Sequence, residues 1–542
     1  MNTQLKQMSN VKHFLAGLLV LLVSFAMCFG VSWKTGLLTS GFHFFINDHA
    51  MISMANQTGE LGLWRTIQTW VLLDHRMGRF VPFHYTLQAI MTYLLGLNSF
   101  YWFVYIGILA SLSVFFLFMF AWLIEMPFLA AIVFPGFALV AAADMWARPS
   151  YTQGPGAFLL SLALFLSILP NKFKKFSKVI DLFLIISVLS SSLIKESFII
   201  FIPALILIKA WFYSRENGKS LYESFFDNRI VFGILTAIFV LELTYIFTVI
   251  GADGMGYAGI QEDTFDIANI WRSIVILFEK GDMVVFLISS AVAIALTLWK
   301  RVGADSYLRY IFPYSLITFA IVSPQILLYS KSGIDGFFNN YLIPATIGTA
   351  LVISASLAFL NRHSRLLFYG AITLSLVLIF SKFPPFLRGY HRLAQDSFYM
   401  NELIRQADRC TPDEKYVLIA LNPRVRYEAA GATRTAFNHL YDREKLVLAT
   451  YGLEGTDFFS DTYKEAEKAW SFLSPQSVSQ LYEGVTIGSF ENKEEISSVI
   501  VFDQLDEEFF QTSGDWFEKS KFSVEEYPVS FAFTRLYCKE SQ

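Results

Sequence analysis

Residues 366–383, LLFYGAITLSLVLIFSKF, carry no charge until Lys382 and run straight into Pro384-Pro385 and the polar stretch LRGYHRLAQD at 387–396. Eighteen residues at about 1.5 Å each reach across most of a hydrocarbon core about 30 Å thick, so the stretch reads as a membrane span. Runs of the same kind, roughly 18 to 22 residues long, recur upstream as far as Phe14, and none recurs downstream. The end of this run therefore divides the chain into an apolar part, 1–383, and a remainder of ordinary polarity, 384–542.

Composition agrees. Of 542 residues, 54% are hydrophobic and 16% charged, with a mean hydropathy of +0.47, too apolar for a soluble protein of ordinary make-up. The expected fold is an α-helical polytopic membrane protein of about 11–13 transmembrane helices, followed by a C-terminal soluble α/β domain. A formal charge of −3 gives no basic field of the kind that nucleic acid requires. Cys28 lies in the first apolar run, while Cys410 and Cys538 bracket the C-terminal region. Pairing of the latter two is left open; it would suit an oxidising compartment. Lys6 and Lys12 precede a first run that reaches Trp33 without a small-x-small cleavage site, so the run is read as a retained span.

Basic loops orient the spans. Lys172, Lys174, Lys175 and Lys178 follow the span ending near Leu169 and are cytoplasmic by the positive-inside rule. Segments 179–194, 231–250, 310–329 and 366–383 then lead outward. Segments 197–213, 282–299 and 341–360 return to Arg215 and Lys219, to Arg301 and Arg309, and to Arg362 and Arg365. The N-terminus is expected in the cytoplasm and the C-terminal domain outside an inner (cell) membrane, which requires an odd number of crossings. The apolar segments number about twelve, so either one of the three between Pro82 and Ala143 fails to cross or another span is hidden. In the C-terminal region Tyr416–Ala420, Leu446–Thr450, Val485–Phe490, Val499–Phe502 and Phe533–Cys538 read as strands, and Thr462–Phe472 as a helix.

The loop from about 34 to 81 is too long for a tight connector, and long ordered loops commonly carry function. Within it Leu63, Trp64, Ile67, Trp70 and Val71 recur at helical spacing, the pattern of an interfacial helix. Polar clusters flank it: Asn47-Asp48-His49 on one side, and Asp74-His75-Arg76 leading into Gly78-Arg79-Phe80-Val81-Pro82-Phe83-His84-Tyr85 on the other. Four of the eight histidines (His43, His49, His75, His84) fall in this loop and its exit. Two further groups face the same outer side: Asp144, Trp146, Arg148 and Tyr151, and the pair Lys195-Glu196 between two apolar runs. Ordinary solvated loop charges would account for some of these; a lysine and a glutamate at a membrane boundary form either a neutralised pair or the wall of a polar cavity.

Taken together these motifs resemble the multispan membrane glycosyltransferases of the GT-C superfamily. Asp48 stands where that family places an acid just past the first span. Gly78-Arg79-Phe80-Val81-Pro82 looks like its G-R-aromatic-x-P stretch, Lys195-Glu196 with Pro203 like its K-E…P boundary, and Asn340-Tyr341-Leu342-Ile343-Pro344 like its late R-Y-x-x-P element. The resemblance implies an inverting glycosyltransferase that moves a sugar from a polyprenyl-phosphate donor to an extracytoplasmic glycan, lipid or protein acceptor. Asp48, a loop carboxylate near water, would be the base; Arg79, Arg148 and Lys195 would receive the phosphate. His49, Asp74, His75, His84, Tyr85, Asp144, Glu196 and Tyr341 would line the substrate. Asn47 and His49 flank Asp48 in place of a second acid, so a divalent cation is left open as cofactor. Rival readings are a transporter or flippase for a lipid-linked saccharide, or a glycan polymerase or ligase centred on the loop Gly251–Gly281.

Overall fold

The computed structural model of the chain describes residues 2–42, 48–76, 79–250, 343–421, 423–450, 493–502, 521–529 and 534–539, with a few single positions between 267 and 295. It is mostly helical. Helices α1 (Asn2–Thr35), α5 (Ser99–Leu123), α6 (Phe128–Leu139), α7 (Gln153–Lys172), α8 (Ser177–Ser192), α9 (Phe201–Asn217), α11 (Arg229–Tyr245), α12 (Ile343–His363) and α13 (Arg365–Ser381) form an antiparallel bundle. Among the described residues, seven helices are long and apolar enough to cross a membrane. Near these positions the segments expected at 179–194, 197–213, 231–250, 341–360 and 366–383 are helical; those at 282–299 and 310–329 lie outside the described residues.

Burial sorts the helices into two layers. The apolar windows of α7 and α12 are 72% and 94% buried, whereas those of α1 and of α13 with its continuation are only 11% and 17% buried. The inner pair is enclosed by Phe118, Phe134, Phe198, Phe201 and Phe359, all wholly buried. The outer helices show Leu19, Leu22, Leu374, Val377 and Phe380 on their surfaces. A stripe of exposed leucines costs free energy in water and none in hydrocarbon. The start of α12 is held to the end of α6 by a hydrogen bond from the Thr346 hydroxyl to the Ala138 carbonyl, 2.8 Å.

The two ends of the bundle differ. At the lower end lie Lys172, Lys174, Lys175, Lys178, Arg215 and Lys219, with Lys172 paired to Glu216 at 2.6 Å and Arg215 to Glu125 at 2.7 Å. At the upper end sit three further helices: α2 (His49–Leu61), α3 (Leu63–Arg76) and α4 (Pro82–Leu95). The interfacial pattern expected at 63–71 is α3. Leu63, Ile67, Trp70 and Val71 pack on Met54 of α2 and Ala89 of α4, while Trp64 and Leu72 remain exposed.

Helix α4 is short and packs at the upper end. It is only 14 residues long, and both of its ends stay at the upper level. Its first turn donates to the loop after α8, with Phe83 N–H bonded to the Leu193 carbonyl at 3.1 Å. Its last turn places Met91 and Leu95 against the core of the C-terminal region. Among the described residues neither α4, of 14 residues, nor α6, of 12, is one of the seven helices long and apolar enough to cross a membrane.

Helix α14 (Phe383–Arg409) continues from α13 into a five-stranded sheet of order β2-β1-β3-β5-β4. The strands are β1 (Tyr416–Leu421), β2 (Leu446–Thr450), β3 (Ile496–Phe502), β4 (Phe522–Tyr527) and β5 (Thr534–Lys539). β2, β1 and β3 run parallel; β5 is antiparallel to β3 and β4. Helix α15 (Pro423–Leu440) and α14 cover one face through Met400, Leu403, Phe437 and Ile500, and Met51 and Ile52 of α2 join this same core. Cys410 and Cys538 form a disulfide that ties the end of α14 to β5, with Cα atoms 5.9 Å apart across 128 residues. Four of the expected strands form at or near their predicted places. β4 was not foreseen, because FSVEEY has no apolar alternation: it is an exposed edge strand whose glutamates face water. The expected strand at 485–490 and helix at 462–472 lie outside the described residues.

Candidate active site

Two polar clusters meet at the start of α7. The first is built around Asp48, which immediately precedes α2 and accepts from the Ser150 N–H at 3.3 Å through Oδ1. The expectation of a solvated loop carboxylate is not met: Asp48 has no exposed surface. It is the anchor of the segment Asp144–Tyr151, which leaves α6 through a kink at Ala142. Within that segment Arg148 reaches back one turn to Asp144 at 3.9 Å. It also lies over the Tyr151 ring at 4.8 Å and donates to the Tyr151 hydroxyl. The Tyr390 hydroxyl on α14 donates to the Ala143 carbonyl, so the helix that carries the C-terminal sheet also fixes this segment. Asp144 keeps 32% of its side chain exposed. Burial pushes its carboxyl up, with the Arg148 charge and backbone N–H groups pulling the other way.

In the second cluster the strand-like link 79–81 is clamped between two carboxylates. Val81 N–H donates to Asp74 at 3.1 Å, and Phe80 N–H donates to Glu196 at 3.2 Å. Arg79 adds an ion pair to Glu196 at 3.6 Å. Asp74 is 2% exposed, and burial raises its carboxyl to about 6 against the opposing Arg79 charge. Lys195 is buried beside this clamp. Burial, then the Arg79 charge, push its ammonium well down, and Glu196 opposes them. Enclosure and the charges of Arg79 and Lys195 lower the His84 imidazole to about 3, so it is a neutral hydrogen-bonding group at pH 7. Tyr85 packs on Trp70 and on His84. Burying this many ionisable groups costs several kcal/mol each unless they are compensated, which marks the region as one where charge has a use.

The clusters share a wall. Ser150, bonded to Asp48, stands just before α7, and Gly156 in the first turn of α7 lies so close to Phe198 that a β-carbon there would collide with the ring. Phe198 lies two residues after Glu196, so the glycine lets α7 pack closely on the turn that carries Lys195 and Glu196.

Among the expected site residues, Asp48 joins Asp144 and Arg148 through Ser150, while Asp74, Arg79, His84, Tyr85, Lys195 and Glu196 form the second group. His75 is exposed and stacks on Tyr245 at 6.3 Å. His49 opens α2, and Tyr341 lies outside the described residues. Two contributors were missed. Tyr390 sits in polar sequence after the last apolar run, where only its place on α14 gives it a role. Glu242 is buried in α11 and accepts from the Ser192 hydroxyl at 2.8 Å, three residues before Lys195; a lone acid in an apolar run was the available signal. Among the described residues no group of three His, Cys, Asp or Glu side chains is placed to hold a metal ion. Neither the family models nor the curated proteins compared with the chain match it, so the chemistry rests on the residues themselves.

Proposed function

We propose that this is a multi-pass membrane glycosyltransferase that takes a sugar from a polyprenyl-phosphate donor at the upper end of the bundle, outside the cell membrane. The observation that carries the reading is the close packing of Gly156, on the helix that follows a partly open acid, against Phe198, on the turn that carries the buried Lys195. Asp144 is partly open, backed by Arg148 and the Asp48–Ser150 anchor; Arg79 and Lys195 stand across the shared wall. Transfer needs a base near the acceptor hydroxyl and positive charge where the phosphate departs. Asp144 takes the proton, and Asp48 positions the segment that carries it. Lys195, buried beside Arg79, supplies positive charge where the phosphate departs, and the negative charge of the donor favours its charged form. The exposed leucines of α1 and α13 support a lipid surrounding, and the Cys410–Cys538 disulfide supports an oxidising compartment for the C-terminal sheet.

The test is sugar release from a labelled polyprenyl-phosphate donor by purified protein. Asp144→Asn is expected to slow turnover by about 10²- to 10⁴-fold, the usual effect of losing a general base. Asp48→Asn keeps an oxygen that can accept from Ser150 and is expected to cost roughly tenfold or less. Near-wild-type turnover by Asp144→Asn would return the base to Asp48; no turnover by the wild type with any such donor would end the reading.

One observation favours a second reading, a transporter of a lipid-linked saccharide. The α6 segment is broken at Ala142 and α11 ends in a π-turn at Ile246–Ile250, and interrupted helices are typical of transporters. Uptake of labelled lipid-linked sugar into sealed vesicles, without sugar release, would decide for it.

A further inference from the structure

At the lower end of the bundle, one helix length from the candidate active site, a cavity of about 850 Å³ opens between the α7–α8 turn and the loop joining α10 (Leu221–Asp227) to α11. Its polar wall carries Lys174, Lys178 and Arg229 together with the Asn171 amide. The acids in that wall are already engaged: Asp181 with Lys209 at 2.8 Å, and Asp227 with Lys219 at 2.6 Å and the Tyr213 hydroxyl at 3.0 Å. Lys174 and Lys178 have no acidic partner among the described residues, and the Asn171 Nδ2 is buried without a hydrogen-bond acceptor among them. The cavity thus presents positive charge and an amide donor, the complement of a phosphate.

The rest of the lining is apolar. Leu182 and Ile185 follow Lys178 on the same face of α8, at the four- and seven-residue spacing that aligns side chains along a helix. Leu182 is 55% exposed and Ile230, on the opposite wall, 73% exposed. Exposed aromatics ring the opening at the same level: Phe173, Phe176, Tyr222 and Phe226. Such belts mark the headgroup region of a bilayer. A basic pocket at headgroup level continuing into an apolar groove along α8 matches one chemical class, a lipid with an anionic head and hydrocarbon tails.

We propose that this cavity binds an anionic glycerophospholipid of the cytoplasmic leaflet, its phosphate among Lys174, Lys178 and Arg229 and its acyl chain along Leu182 and Ile185. The inference rests on the membrane setting of the chain and not on the glycosyl-transfer chemistry, so it stands or falls separately from that activity.

The experiment is native mass spectrometry of the full chain after exchange into nanodiscs of phosphatidylglycerol mixed with phosphatidylcholine. The wild type is expected to retain phosphatidylglycerol preferentially. The triple variant Lys174→Ala, Lys178→Ala, Arg229→Ala should retain roughly tenfold less, and Leu182→Trp, which fills the groove without altering charge, should also lose retention. Lys175→Ala, a neighbouring cation outside the cavity, should behave as wild type. Equal retention by wild type and triple variant would overturn the proposal, as would an equal loss in Lys175→Ala, which would reveal only a diffuse surface field. Displacement of the lipid by millimolar glycerol 3-phosphate would overturn the lipid assignment in favour of a soluble phosphate ligand.

Discussion

The two ends of α7 carry charge in opposite ways. At its lower end Lys172 pairs with Glu216 while both side chains keep a quarter or more of their surface in solvent, at 34% and 25%. At its upper end Asp48, Asp74 and Lys195 are 0%, 2% and 3% exposed. Exposed pairs cost little to form and contribute little, whereas buried charges are expensive and persist where something uses them. On the proposed reading the lower end is an address, setting which side of a membrane the chain presents, and the upper end a workplace.

The largest expected effect tests whether the upper side is oxidising. Cys410→Ser or Cys538→Ser opens a loop spanning 128 residues, and on the chain-entropy account should destabilise the C-terminal sheet by ~4–5 kcal/mol. Pulse proteolysis with and without reductant measures this; wild type that is equally protected under both conditions would show that the bridge contributes nothing. Next comes Lys195→Met, which keeps the buried volume and removes the cation. Turnover should fall by about 10²- to 10³-fold, the cost of losing one preorganised stabiliser of departing charge. The thermal midpoint should hold or rise, because an expensive buried charge has gone. A fall in midpoint with unchanged turnover would make Lys195 structural and erase the contrast.

Asp74 sharpens the contrast through pH. Its carboxyl is raised from 3.8 to about 6 in the folded chain, so folding favours the protonated form. That contribution is complete below about pH 4 and is lost as pH rises through about 6. By pH 8 the burial penalty reaches at most ~3 kcal/mol. Asp74→Asn retains an acceptor for Val81 N–H and should gain on the wild type between pH 4 and pH 8 in melting experiments. A constant gap across that range would mean that the carboxylate is fully compensated. The smallest effect belongs to the lower end: Lys172→Ala should change stability by less than about 1 kcal/mol and leave turnover alone. A larger loss would show that this exposed pair is coupled as strongly as the buried Lys209–Asp181 pair of the same end.

The helix at 63–76 was legible because its apolar residues recur at helical spacing, and the strands at 416–421 and 446–450 because they are short apolar runs with β-branched residues between polar turns. β4 was not, since an edge strand facing water on both sides has no pattern to display. The site was legible only as a set of residue types. That Asp48 would be sealed in, and Asp144 left open beside it, depends on which segment covers which.

What the sequence by itself determined is therefore what sums locally: where apolar runs begin and end, which helix ends carry lysine and arginine, and that polar groups crowd the connections at the opposite ends. Only the tertiary structure decided which of those groups meet. Asp48 bonds Ser150 across 102 positions, Phe80 bonds Glu196 across 116, and Tyr390 bonds Ala143 across 247. It also decided what α4 packs against, which hydropathy could not settle. A run of 14 apolar-rich residues can pack on a protein surface or begin a crossing; here Met91 and Leu95 join a core that α2, α5 and the C-terminal sheet share.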